Sequence, residues 1–183
     1  GLVECMDAQT HKIIRRDSTI LNNIKIKNLG DIRLFIDSAG DLWMYGIGEH
    51  FGLAYYNLQK NKWQFYSEMA AAPSKISNNN ITSVAEDSKG MIWIGTDHGG
   101  VNILNKKNGS IIYLKQNELN QYSLSQNTIK CLYSDDTGIM WVGTYKMGAC
   151  YYHESVFKFK SISDKASLPY NDVNCFHEAP DGN

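Results

Sequence analysis

The chain has 183 residues, with 18 Lys and Arg against 19 Asp and Glu, a formal net charge of −1. Hydrophobic residues make up 43% and aromatics 11%, enough for a domain-sized core. The charge balance excludes the basic footprint of a nucleic-acid binder and the polybasic patch of a membrane-surface protein. No apolar run approaches the about 18 residues that a membrane span needs, and no basic-then-apolar leader opens the chain.

Taken in order, the elements read as strands throughout, with no amphipathic 3.6-residue period. Residues 1–16 give two strands, Gly1-Leu2-Val3-Glu4-Cys5-Met6 and Lys12-Ile13-Ile14-Arg15, around a turn at Asp7 to Thr10. A connector fills 17–30. The next unit runs from Ile32 through Trp43, Gly52-Leu53-Ala54-Tyr55-Tyr56 and Trp63-Gln64-Phe65-Tyr66. The clearest unit follows, with strands predicted at Ile81 to Glu86, Met91 to Thr96, Val101 to Leu104 and Ser110 to Leu114. Another runs from Ile129 through Trp141, Gly148 to Tyr152 and Phe157-Lys158-Phe159. Asp172 to His177 reads as the first strand of a further unit.

One stretch repeats at a fixed phase. Asp87-Ser88-Lys89-Gly90-Met91-Ile92-Trp93-Ile94-Gly95-Thr96 recurs as Asp135 to Thr144, with Gly138, Trp141 and Gly143 in register. A worn copy spans Asp37 to Gly46 with Gly40 and Trp43, and a truncated one, Ala179-Pro180-Asp181-Gly182-Asn183, closes the chain. Asp accepts bonds from the turn amides and Gly supplies the positive φ of a tight hairpin, so the repeated aspartates read as turn caps and not as catalytic or calcium-binding groups. Gly95 and Gly143 are expected to clear space for a large side chain of the adjacent unit.

Four antiparallel strands per unit of about 40–50 residues indicate an all-β fold, a β-propeller of four-stranded antiparallel blades. Such sheets pack face to face, which explains strands apolar on both faces. A β-sandwich would not need a Trp at fixed phase. The expected division is 1–30 half-blade and connector, 31–77, 78–127 and 128–171 full blades, and 172–183 the first strand of the next. The chain starts and ends inside a repeat, so it reads as an incomplete propeller, about three full blades plus terminal strands, and a piece of a longer protein.

Cys5, Cys131, Cys150 and Cys175 show no zinc spacing and read as four buried thiols. The histidines His11, His50, His98, His153 and His177 fall in different phases, except the loop pair His50 and His98, and no carboxylate spacing supports a metal on that pair. No metal or cofactor is expected. Gly99-Gly100 leads into a strand, which does not suit phosphate binding.

The pattern Asp-x-x-Gly-x-x-Trp-[Ile/Val]-Gly-Thr followed by Gly-Gly-Val resembles the two-component regulator propeller repeat. So does the connector Tyr122-Ser123-Leu124-Ser125-Gln126-Asn127-Thr128-Ile129, with degenerate forms at Ile76 to Ile81 and Ser167 to Val173. The likeness is strong over 78–153 and weaker over 31–66, where Tyr45-Gly46 replaces Gly-Thr. The resemblance implies the periplasmic sensor region of a hybrid two-component protein of Bacteroidetes, in which propellers precede a membrane helix, a histidine kinase and a response regulator. It further implies that glycan breakdown products are sensed and that a phosphorelay controls transcription. The parent would be a membrane-anchored homodimer at the periplasmic face of the inner membrane, and this segment a non-catalytic part that contacts the remaining blades of the same protein.

Function is expected on the loops between second and third strands and on the connectors beside them, which vary while the strands do not. Glu49, His50, Asp97, His98, Tyr145, Lys146 and Tyr170 are the candidate contacts for an oligosaccharide or other small ligand. A polysaccharide-cleaving enzyme would instead need paired carboxylates about 5–9.5 Å apart near the axis. The inner strands offer only Ser83, Glu86, Cys131, Ser134, Cys175 and Glu178. The third reading is a protein-interaction scaffold.

Overall fold

The computed structural model describes residues 3–18, 32–46, 51–120, 122–153, 159–163, 170–177 and 179. Among these, β1 (Val3–Met6) and β2 (Ile13–Asp17) form a two-stranded antiparallel sheet. Blade I consists of β3 (Ile32–Ile36), β4 (Leu42–Gly46), β5 (Leu53–Asn57) and β6 (Lys62–Tyr66). Blade II holds β7 (Ile81–Glu86), β8 (Met91–Thr96), β9 (Val101–Asn105) and β10 (Ile111–Leu114). Blade III holds β11 (Ile129–Ser134), β12 (Met140–Thr144), β13 (Ala149–Tyr152) and β14 (Lys160–Ile162). Each blade is a meander in which sequence neighbours pair. The fold is the all-β architecture of four-stranded antiparallel blades that the repeat predicts.

The apolar core lies between blades, not within them. Trp43, Tyr45, Leu53 and Tyr66 of blade I pack on Ile81, Val84, Ile92, Ile94 and Leu104 of blade II. Ala85, Trp93, Val101 and Ile103, on the other face of blade II, pack on Ile129, Met140, Val142 and Cys150 of blade III. Because side chains alternate across a strand, Ile92 and Ile94 serve one interface and Trp93 the other. This is why the strand reads as a continuous apolar run.

The Asp-x-x-Gly-x-x-Trp stretch is a closed hydrogen-bond unit. One carboxylate oxygen of Asp37, Asp87 and Asp135 accepts the turn amides, two in each blade. The second oxygen accepts the indole N–H of Trp43, Trp93 or Trp141 at 2.8, 2.9 and 2.8 Å. The six-residue offset between Asp and Trp is therefore set by a bond as well as by packing. The turn-cap reading holds, with the indole bond added to it.

Gly95 and Gly143 have the expected clearance role. A Cβ on Gly95 would lie 2.8 Å from Ile129 Cγ2 of blade III and 2.8 Å from Ser83 Oγ. One on Gly143 would meet Cys131 Sγ at 2.4 Å and Val173 Cγ1 at 2.8 Å. The start of each third strand shows a stricter need. Gly52, Gly100 and Gly148 have φ of 85°, 75° and 74°, and a Cβ on each would fall 2.0–2.2 Å from a carbonyl oxygen of the fourth strand.

The connector motif is a double clamp. Ser77 and Ser125 are bound by the third strand of the blade they enter, through Asn102 and Cys150. Asn79 and Asn127 cap the exit from the preceding fourth strand, accepting Glu68 N at 2.8 Å and Gln116 N at 2.7 Å. The carbonyls of Asn127 and Asn171 also accept Gly100 N and Gly148 N. Serine thus holds the blade ahead and asparagine the blade behind.

Three expectations need correction. Residues 172–177 form no strand: Val173 N reaches Thr144 O at 3.4 Å, but a first strand is held by a ladder with its second, and none pairs with it among the described residues. The last strand of blade III is Lys160–Ile162, beginning just past Phe159, while Phe157 lies outside the described residues. Only Cys150 is fully buried; Cys131 is half-buried, and Cys5 and Cys175 are exposed, lying on the first and last described elements, which among the described residues have a blade on one side only. Burial, then the nearby Cys175, pushes the Cys131 thiol up to about 12.

Candidate functional site

The β8–β9 and β12–β13 loops lie beside the inter-blade connectors, as a propeller requires. Asp97 N donates to Asn80 O at 2.9 Å and Tyr145 N to Thr128 O at 3.0 Å. Thr96 and Thr144 close each loop from below: their hydroxyls and amides both bond the carbonyls of Gly100 and Gly148. That anchoring fixes the loop base and leaves its tip to vary.

The tip residues adopt unusual backbone. His98 and Lys146 occupy equivalent positions with φ of 69° and 63°, the left-handed region that non-glycine residues rarely enter. His98 has an 80% exposed side chain and its Nδ1 lies 2.8 Å from Asp97 Oδ1. Asp97 Oδ2 accepts Asn80 Nδ2 at 3.2 Å. In blade III, Lys146 Nζ sits 4.7 Å from the Tyr145 ring centre, and Lys130 Nζ 4.9 Å from the same ring. A hydrogen bond from Lys146 to Tyr145, then the phenol's charge, raises the lysine above its ordinary value.

Five of the seven candidate contacts are thus placed on this face or beside it, while Glu49 and His50 lie outside the described residues. Asp97 and His98 form one pair, Tyr145 and Lys146 another. Among the described residues no hydrogen bond or ring contact joins the two pairs. Tyr170 is 81% exposed and precedes Asn171, whose carbonyl holds Gly148 at the start of β13.

Sequence reasoning missed Lys130. It is the extra residue of a bulge between Ile129 and Cys131, and the bulge turns its side chain onto Tyr145. Thr82 is the bulged residue of blade II. Thr82 Oγ1, Ser83 Oγ and Gln126 Oε1 are buried without a hydrogen-bond partner among the described residues. Glu86, one of the two acids that an enzyme reading would need, accepts Ser38 N at 2.6 Å and Ser38 Oγ at 2.9 Å from blade I. Its carboxylate joins two blades; Glu178 lies outside the described residues.

The family profile described as "two component regulator propeller" matches residues 75–98 and 123–146. The chain carries two-component regulator propeller repeats. The matched segments begin two residues before the connector serines Ser77 and Ser125 and run through the Asp–Trp unit to the tip residues His98 and Lys146. A search of curated proteins found no match. Among solved structures, the chain resembles the extracellular domain of the hybrid two-component system BT3049 from B. thetaiotaomicron. Identity is 27% and the TM-score 0.59, covering 76% of this chain and 18% of that one. The extracellular domain of BT4673 from the same organism matches at 18% identity and TM-score 0.64, over 97% of this chain and 22% of that one. Virginiamycin B lyase from Staphylococcus aureus shares the fold, at 14% identity and TM-score 0.59, over 92% of this chain and 49% of the lyase. The chain therefore spans about a fifth of the length of the two B. thetaiotaomicron domains.

Proposed function

We propose that this chain is a ligand-sensing propeller segment of the extracytoplasmic region of a hybrid two-component sensor histidine kinase. The reading is carried by the repeat match together with the likeness to the BT3049 extracellular domain. The ligand is a glycan-derived oligosaccharide, and the parent is a membrane-anchored homodimer facing the periplasm. The segment binds and does not cleave. What supports the division of labour is the contrast between glycine-anchored loop bases and tips that differ between blades: Asp97-His98 in one, Tyr145-Lys146 in the next. Aromatic faces suit the apolar side of a sugar ring, and charged or amide groups suit its hydroxyls.

Signalling then rests on differential affinity. A saccharide that favours one arrangement of the paired propellers shifts their population, and the shift passes through the membrane to the kinase. Calorimetry and thermal-shift measurements across a broad panel of oligosaccharides test this directly. At least one member should release heat and raise the melting temperature. Silence across the panel would end the sensing reading, and turnover of any glycan by the purified protein would replace it with an enzyme.

A further inference from the structure

A second recess lies away from the loop face, on the side of the Asp turns and the outer hairpins. It is a cleft of about 690 Å³ between blades I and II, within the range of about 300–1,000 Å³ typical of ligand sites. Its walls come from the β5–β6 hairpin, the β9–β10 turn and the connector at Pro73 and Ser74. Its floor is already satisfied. Asp41 accepts Tyr55 Oη at 2.6 Å, Asn57 Nδ2 at 3.0 Å and Leu58 N at 2.8 Å. Lys106 crosses from blade II and bonds Asp37 Oδ2 at 2.5 Å. Neither carboxylate is left to hold a ligand.

The rim is different. Lys60 and Lys62 on blade I and Lys107 on blade II are exposed, and no described carboxylate pairs with any of them. Beside them stands the Gln64 amide, turned towards Ser74. The Trp63 indole itself turns to the opposite face of blade I, its N–H donating to Asp17 Oδ2 at 3.1 Å and its ring tilted on Tyr56 at 4.6 Å. An amide suits the hydroxyls of a sugar, and three ammonium groups on two sides of the cleft, with no carboxylate partner among the described residues, suit acidic substituents. We propose that this cleft binds an acidic oligosaccharide, with Lys60, Lys62 and Lys107 holding its carboxylate or sulfate groups and the Gln64 amide one of its hydroxyls. Such a ligand touches both blades, so its binding clamps blade I to blade II. The proposal rests on the sensing reading and adds a ligand class and a second site to it.

Calorimetry on the full chain tests the cleft with four probes: tetragalacturonate, a heparin-derived tetrasaccharide, neutral cellotetraose and poly-glutamate. At least one acidic tetrasaccharide should bind about tenfold tighter than cellotetraose or more. It should weaken as salt rises from about 50 to about 500 mM. The Lys60→Gln/Lys62→Gln/Lys107→Gln variant should lose about tenfold while keeping its melting temperature, and Lys115→Gln should bind as the parent does. The two acidic probes tell carboxylate from sulfate. Acidic-sugar binding that survives the triple change, or that cellotetraose equals, overturns the cleft and leaves saccharide sensing standing. Poly-glutamate binding alone overturns the saccharide occupant in favour of an acidic protein segment. Silence of all four probes overturns the cleft, and the broader panel above then decides the sensing reading separately.

Discussion

Between blades II and III, Gly95 faces Ile129 across a bulged inner strand. Between blades I and II, the same position is Tyr45, and the β3–β4 ladder runs without a bulge. The first interface closes sterically, backbone against side chain, and is finished by Trp93 against Tyr152 at 5.4 Å. The second is filled by the buried Tyr45, which bonds the backbone of Val84, and is bridged by Lys106 to Asp37 and Ser38 to Glu86. One repeat therefore supports two ways of joining blades. The glycine version relies on shape at its centre, whereas the tyrosine version adds a charge pair and hydrogen bonds, and the cleft opens beside it.

The largest effect should come from emptying the second interface. Tyr45→Ala removes a buried ring, and unfolding free energy should fall by about 3–5 kcal/mol, read by denaturant titration. A comparable contrast compares like with like. Asp37→Ala strands the Trp43 indole and the nearly buried Lys106 and should cost about 3–5 kcal/mol. Asp135→Ala strands only the Trp141 indole and turn donors and should cost about 1–3 kcal/mol. Equal losses would mean that the cross-blade ion pair contributes nothing.

Gly95→Val tests the first interface. Overpacking against Ile129 and Ser83 should cost about 1–3 kcal/mol, and Ile129→Ala in the same chain should recover part of it. Acid provides a milder probe. Burial pushes Asp37 up, but Lys106, the Trp43 indole and the Asp41 amide outweigh it and hold the carboxyl below its usual 3.8. Asp135 is lowered likewise: the Trp141 indole, the Thr137 hydroxyl and turn amides outweigh burial. A depressed folded-state value means stability that is present above pH 3.8 and lost as pH falls through the folded value. Melting temperature against pH should therefore drop below that point, and Asp37→Asn should flatten part of the drop. The smallest effect is expected at the loop tips. His98→Gly and Lys146→Gly relieve left-handed backbone and should change stability by less than about 1 kcal/mol, in either direction. Any loss of ligand heat in those variants would then report contact, not folding.

Much of the scaffold was legible because its rules are local. A turn Gly, a Trp at fixed phase and strands apolar on both faces specify a stacked four-stranded sheet without further information. The Asp–Trp bond was half visible: the constant offset was plain, but whether the indole N–H points back at the turn depends on a rotamer. Lys130 was hidden by a bulge, since one extra residue re-aims a side chain that strict alternation would place elsewhere. The cleft could not be read at all. Lys60 and Lys107 sit on hairpins of different blades, and only the stacking of those blades brings them to one rim. Segment 172–177 carried a strand's composition, but composition cannot supply a pairing partner.

The connector clamp has a consequence for how such chains grow. The attachments that recur from blade to blade are encoded within a single period: serine for the blade ahead, asparagine for the one behind, glycine for the face between where it is kept. A duplicated period brings its own fastening, so a gene can gain or lose a blade without inventing a joint. The hairpin tips are free to diverge afterwards while the architecture is copied unchanged.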